Sequence, residues 1–266
     1  MSRYRVGPVR LDFRSEDPEL LQWAARVHSG REDIGPADLH IELKRADETF
    51  HGPHPPQVRC TDAIDELRFH GWRASYNTTT GQCSVHLSDD TTPARGARRV
   101  EGATRTILGR YLLRNHGVSC HAAAMIQNDA GYLFVGERGA GKTTLVRTWP
   151  GATVLGDDHS IIERTPNGFH VHGTPYTGRE GTPCAVGSAP LRAIVLLRQS
   201  PETRATNLPR VNALAALTRN VIHIGQAPRE SDTILTFLDD LTRRVPTLCL
   251  HFNRTDPIWP AIEAAA

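Results

Sequence analysis

Residues 131–146 read GYLFVGERGAGKTTLV. An apolar strand, Tyr132 to Val135, runs into a glycine loop, and a helix-compatible segment follows from Lys142. The pattern GxxxxGK[ST] is complete in Gly136, Gly141, Lys142 and Thr143, with the flanks it needs. Glycines let successive backbone N–H groups curl around a phosphate without a clashing Cβ. A helix starting there points its partial positive charge at the same anion. Lys142 is placed for the outer phosphates, the Thr143 hydroxyl for Mg²⁺, and Thr144 for an inner phosphate. The expected nucleotide-holding set is therefore Gly136, Glu137, Arg138, Gly139, Ala140, Gly141, Lys142, Thr143 and Thr144. A ligand-free glycine turn is the plainer alternative. Lysine usage counts against it: of 31 basic residues only Lys44 and Lys142 are lysines.

A second motif follows the loop. In LGDDHS (155–160) a short apolar strand ends in Asp157 and Asp158. In phosphate-loop proteins a neighbouring strand delivers a carboxylate to the metal. Adjacent carboxylates repel, so a pair needs a cation or a shared proton. One of the two is expected to serve the metal and the other to take a proton from an attacking hydroxyl. A solvated acidic turn is the alternative, and Asp89-Asp90 and Asp239-Asp240 show that such pairs occur elsewhere in the chain. Upstream, His121 lies in SCHAAAM, read as part of a strand over 118–126. A lone histidine in an apolar strand reads equally as a core residue.

The elements around these motifs imply an α/β protein. Towards the N-terminus, strands are expected over 4–13, 39–43, 66–76 and 82–88, the last two flanking a hairpin turn at Asn77–Gly81. Helix spacing in 18–27 buries Leu20, Leu21, Ala24 and Val27, with Asp17 or Ser15 as cap. Residues 46–60 read as a loop. The polar stretch 88–96 marks a boundary, giving an N-terminal α/β accessory unit over 1–95 and a catalytic unit over 96–266. A long helix follows, with Val100, Ala103, Ile107, Leu108, Tyr111 and Leu112 on one face and Gly117 as its cap. Later come a strand at 191–197, helices near 209–222 and 231–243, and a strand at 248–252. The last six residues are expected to fray.

Composition narrows the function. The chain has 266 residues, is 39% hydrophobic, and carries 31 basic against 29 acidic residues for a formal net charge of +2. That balance argues against nucleic-acid or membrane-surface binding. No apolar run is long enough to span a bilayer, and no signal core opens the chain. Cys60, Cys83, Cys120, Cys184 and Cys249 are scattered and odd in number, as free thiols of a reducing, cytoplasmic compartment would be. The sequons at Asn77 and Asn253 then carry no meaning.

Taken together, HAAA at 121–124, a second strand, GERGAGKTTL, a short helix and LGDDHS resemble the nucleotide-binding core of the HPr kinase and phosphoenolpyruvate carboxykinase superfamily. The resemblance covers about residues 115–200. It implies a P-loop, carboxykinase-like core with a mixed β-sheet flanked by helices. It also implies ATP and Mg²⁺ as cofactors, His121 near the metal and the aspartates, Lys142 and Thr143 as the phosphate-loop pair, and Asp157 and Asp158 as the metal and base pair. Two departures matter. The Glu-x-Arg-Gly signature of HPr kinases is missing; the nearest segment is GTPYTGREGTP (173–183). There Arg179 is a candidate phosphoryl clamp, although a solvated loop arginine is its plainer reading. The carboxykinases' substrate arginines have no counterpart either, so oxaloacetate chemistry is not expected.

The leading expectation is an ATP-dependent kinase with a hydroxyl acceptor. The acceptor is a small molecule of a specialised biosynthetic pathway, or a serine on a peptide or protein. One alternative is a GTPase-like switch. LHFNRTD (250–256) imitates the guanine-reading Asn-Lys-x-Asp pattern, with Arg254 where Lys belongs. The other alternative is a non-catalytic nucleotide-binding module. The N-terminal unit is open to three uses: shaping the acceptor site, forming a homo-oligomer, or covering the sheet.

Overall fold

A computed structural model describes residues 2–52, 57–61, 63–89, 92–148, 151–178, 181–222 and 228–266. The chain is an α/β protein divided into two compact units.

The first unit holds Met1–Arg114 and a short piece ending at Glu230. Strands β1 (Ser2–Val6) and β2 (Val9–Arg14) form a hairpin where one strand was expected, because Gly7 turns the chain at φ +60°. Helix α1 (Pro18–His28) starts on Asp17, whose carboxylate accepts the Glu19 N–H at 2.9 Å. Next come β3 (Leu39–Arg45), β4 (Gln57–Cys60), β5 (Ile64–Phe69), β6 (Trp72–Asn77), β7 (Gln82–Leu87) and helix α2 (Pro93–Arg114). Strand β4 lies inside the segment read as a loop. Gly71, at φ +86°, splits the expected 66–76 strand into β5 and β6. The hairpin at Asn77–Gly81 is present: the Asn77 Oδ1 accepts the Thr79 and Thr80 N–H groups, both at 3.0 Å. The sheet runs β1-β2-β3-β7-β6-β5-β4.

Helix α2 buries Val100, Ala103, Ile107 and Leu108, as its spacing predicts. It packs against α1, where a Cβ on Gly96 would lie 2.4 Å from the Trp23 ring. That close approach places α2 in the first unit, so the compact units part after Arg114 and not at the expected 95/96 boundary. The left-handed residue after α2 is His116, at φ +61°; Gly117 instead starts a strand.

The second unit contains β8 (Gly117–Cys120), β9 (Ala123–Gln127), β10 (Ala130–Val135), α3 (Lys142–Thr148), β11 (Thr153–Gly156), β12 (Ser160–Thr165) and β13 (Gly168–His172). It continues with β14 (Ser188–Gln199), β15 (Arg204–Asn207), α4 (Arg210–Asn220), α5 (Pro228–Arg244), β16 (Thr247–Phe252) and α6 (Trp259–Ala265). Helix α6 replaces the expected frayed end, held by the fully buried Ile258 and Ile262. The 118–126 strand is broken at His121: β8 pairs with β12, whereas β9 pairs with β10 and β11.

Strand β14 serves two sheets. Its first residues pair antiparallel with β13; its later part lies between β10 and β16, parallel to both. A core of Phe134, Leu145, Val195, Leu197, Leu248, Leu250 and Phe252 packs about this part of the sheet. Strand β10 is buried along nearly its whole length, as an inner strand with parallel pairing should be. Strands β10, β14 and β16 run the same way, and β11 runs with them, because both β10 and β11 are antiparallel to β9. The C-terminal ends of four strands and the start of β9 therefore share one edge. In open α/β sheets that edge is where ligands bind. Among the described residues no helix is long and apolar enough to cross a membrane, and all five cysteines are free.

Candidate functional site

A cavity of about 990 Å³ opens at this edge. Its wall includes His121, Arg138, Gly139, Gly141, Lys142, Thr143, Thr144, Asp157 and Asp158, so the structure brings together most of the residues selected from sequence. Gly136, Glu137 and Ala140 shape the loop from behind. The Glu137 carbonyl accepts the Ala140 N–H at 3.1 Å, and a Cβ on Gly136 would meet that of Ala140 at 2.8 Å. Gly139 and Gly141 take φ of +84° and +101°, which L side chains rarely adopt. A Cβ on Gly141 would also lie 2.9 Å from the Phe252 ring. The Gln199 amide donates to the Gly139 carbonyl at 2.9 Å, tying the loop to the end of β14.

Lys142 is 7% exposed. Its ammonium donates to the Gly136 carbonyl at 2.8 Å and to the Glu137 carbonyl at 3.4 Å. Burial pushes its pKa below the usual lysine value, against an opposing pull from Asp158. A buried ammonium whose hydrogen bonds go to carbonyls gains from an anion that binds against it. Thr143 and Thr144 line the same cavity, and their hydroxyls make no hydrogen bond among the described residues.

Asp157 and Asp158 follow β11 and have different surroundings. Asp157 is 1% exposed; its Oδ1 accepts the Gly178 N–H at 2.9 Å, and its buried Oδ2 has no hydrogen-bond partner among the described residues. A buried carboxylate oxygen without a partner is costly unless something cationic or protic meets it. Such an oxygen could receive a cation such as Mg²⁺, and Thr143 lines the same cavity. Among the described residues no group of three or more His, Cys, Asp and Glu side chains is arranged to hold a metal ion by itself. A cation bound here could take Asp157 and Thr143 from the protein.

Asp158 is half-buried and meets His121, whose Nδ1 lies 3.1 Å from the Asp158 carbonyl and 3.1 Å from its Oδ1. His121 occupies the corner between β8 and β9, where its own N–H donates to the Asn220 carbonyl at 2.7 Å. It is a cavity residue and not a core residue. Arg179 lies outside the described residues.

Other cavity residues were not selected from sequence: Thr177, Gly178, Gln199, Ser200, Pro201 and Phe252. Gly178 carries no sequence signal as the donor to Asp157. Thr177 lies beside Gly178 in the loop after β13; Gln199, Ser200, Pro201 and Phe252 sit at or near the ends of β14 and β16, so the expected strands at 191–197 and 248–252 already pointed there. Asn253 and Arg254 also line the cavity. Asp256 does not; its carboxylate accepts the Asn253 amide at 2.6 Å.

The geometry defines an α/β protein with one glycine-loop cleft at the C-terminal edge of a mixed sheet. Residues 99–265 match the family described as SynChlorMet cassette protein ScmC, and the chain belongs to that family. The match takes in the whole cleft. No curated protein matches the chain.

Proposed function

We propose that the chain is an ATP-dependent kinase that transfers the γ-phosphoryl group to a hydroxyl. The observation that carries this reading is that one cavity holds the buried Lys142, an Asp157 Oδ2 with no partner among the described residues, and the Asp158–His121 pair. An ammonium and carboxylates gathered around one glycine loop support a phosphoryl-transfer reading. The resemblance to the HPr kinase and carboxykinase superfamily, with its P-loop core, supports the same reading.

In the reaction, the loop from Gly136 to Thr144 and the Lys142 ammonium hold the triphosphate. Asp157 and Thr143 would hold Mg²⁺, which would neutralise phosphate charge when bound. Asp158 accepts the acceptor's hydroxyl proton as the new O–P bond forms and the β–γ bridging P–O bond breaks, releasing ADP. His121 donates its Nδ1–H to Asp158 and orients the carboxylate. The cleft thus works by positioning and by charge neutralisation.

A small-molecule acceptor is preferred to a protein, because a net charge of +2 offers no strong field for an acidic partner. The description "cassette protein" suits one step in a biosynthetic set, a tailoring phosphorylation in the cytoplasm. A GTPase reading gains little from Asn253 and Asp256, whose side chains are bonded to each other. A crystal grown with AMP-PNP and Mg²⁺ tests the assignment. The phosphates are expected against Gly136–Thr143, with Asp157 at the metal. An empty cleft, or aspartates turned into solvent, overturns it.

A further inference from the structure

We propose that the ends of β14 and β16 form a seat for the nucleotide's purine ring, with Arg254 lying on its face. The inference rests on the kinase reading above and adds the nucleoside half of the ligand.

The strand order sets the direction. Across the edge of the sheet the strands run β11, β9, β10, β14, β16. The glycine loop follows β10, at the middle. Asp157 and Asp158 follow β11, and His121 precedes β9, all on one side of it. Ser200 and Pro201 follow β14, and Asn253 and Arg254 follow β16, on the other side. Neighbouring strands are about 5 Å apart, so each flank reaches about 10 Å from the loop's strand. A nucleotide held by its phosphates at the centre must point its transferable end towards the carboxylates. Its nucleoside then lies the opposite way, towards β14 and β16.

That flank is built and not merely open. The Asn253 Nδ2 donates to the Pro201 carbonyl at 2.8 Å, joining the loops that follow β14 and β16. The Asn253 Oδ1 accepts the Thr255 N–H at 2.9 Å and the Asp256 N–H at 2.7 Å. Its amide is therefore spent on holding the wall. Beneath, the buried Phe252 ring supports the wall and closes on Gly141. Arg254 is exposed, lines the cavity, and forms no ion pair or side-chain hydrogen bond among the described residues. A free guanidinium at the mouth of a cavity suits the face of an aromatic base. The Asp256 carboxylate is bonded to Asn253 and lies outside the cavity wall, so no carboxylate here is free to accept the N–H groups of guanine. The seat takes adenine at least as well as guanine. The Asn-Arg-Thr-Asp segment is thus a wall and a ring contact, not a guanine reader.

Calorimetric titration of the full-length chain with Mg²⁺ and either AMP-PNP, GMP-PNP or tripolyphosphate tests this. Wild type is expected to bind AMP-PNP more tightly than tripolyphosphate by about tenfold or more, and GMP-PNP no more tightly than AMP-PNP. Arg254→Ala is expected to weaken AMP-PNP by about 5- to 30-fold and leave tripolyphosphate unchanged, with an unaltered circular dichroism spectrum. Equal weakening of both ligands, or no weakening of AMP-PNP, overturns the seat while leaving the kinase reading in place. So does a tenfold preference for GMP-PNP. Wild type that binds none of the three overturns both.

Discussion

His121 and Asp158 are joined through one ring nitrogen: the Nδ1 of His121 lies 3.1 Å from both the carbonyl and the Oδ1 of Asp158. Three strands separate the two residues in sequence, yet the break between β8 and β9 and the end of β11 meet at one edge of the sheet. The shared N–H turns the Asp158 carboxylate and leaves the other ring nitrogen for a second partner.

Removing the carboxylate's charge therefore separates binding from chemistry. Asp158→Asn is expected to keep nucleotide affinity within a few-fold and to lower turnover by about 10²- to 10⁴-fold, the usual range for a positioned base. His121→Phe removes the donor but not the base, and its kcat is expected to fall by about 10- to 100-fold with the KM for ATP unchanged. Steady-state kinetics beside calorimetric titration of AMP-PNP measures both. Full activity in Asp158→Asn refutes the base assignment.

Burying the Lys142 ammonium costs the fold stability, and in the proposed kinase that charge serves the nucleotide. Its folded-state pKa lies below that of a free lysine, so the unfolded chain binds more protons in the window between the two. Stability attributable to this residue thus rises as pH climbs towards 10.5, and its charge is a burden at neutral pH. Lys142→Met is expected to melt no lower than wild type at pH 7 and to bind AMP-PNP about 10- to 100-fold more weakly. Thermal unfolding and calorimetry check the two halves; a large loss of stability contradicts the first.

His28 gives the first unit an acid limit. The ring is fully buried, stacks on Tyr4 at 5.2 Å, and faces the Ala24 carbonyl through Nδ1 at 2.9 Å. Burial lowers its pKa from 6.5 to about 4. Between those values the unfolded chain takes up the proton and the folded one does not, so stability falls as pH drops from 6.5 towards 4. The loss amounts to about 3 kcal/mol in all. His28→Phe is expected to flatten that slope in urea unfolding followed from about pH 7 to about pH 4. An unchanged slope contradicts the assignment.

Two glycines of α2 give opposite outcomes. A Cβ on Gly96 would strike the Trp23 ring at 2.4 Å, so Gly96→Ala is expected to destabilise by about 1–3 kcal/mol. At Gly102 the nearest atom is the Trp72 Nε1 at 3.4 Å, and Gly102→Ala is expected to stabilise by up to about 1 kcal/mol through helix propensity. Chemical denaturation of both variants reads the signs directly.

Much of the site was legible in the chain because its chemistry is local. The loop residues and the aspartate pair are contiguous motifs with fixed spacing, and Lys142 stands out in an arginine-rich sequence. His121 is visible as a residue but not as a corner, because nothing in SCHAAAM marks the point where the chain leaves one sheet for another. Strands β12 and β13 were not expected, and Gly178, which anchors Asp157, comes from the loop that follows β13. Its contact spans 21 residues and is set by tertiary packing. The unit boundary is displaced for a related reason: the polar stretch at 88–96 runs into the first turn of α2, and the small Gly96 lets that helix close on Trp23 in the first unit.

The decisive measurement is transfer of label from [γ-³²P]ATP, with Mg²⁺, to a panel of hydroxyl-bearing metabolites and serine peptides, run with wild type, Lys142→Met and Asp158→Asn. Label is expected in a hydroxyl acceptor with wild type alone, at a phosphoester bond stable to mild acid. Inorganic phosphate as the sole product across the panel, or equal transfer by all three proteins, would contradict the reading of this cleft as a hydroxyl kinase.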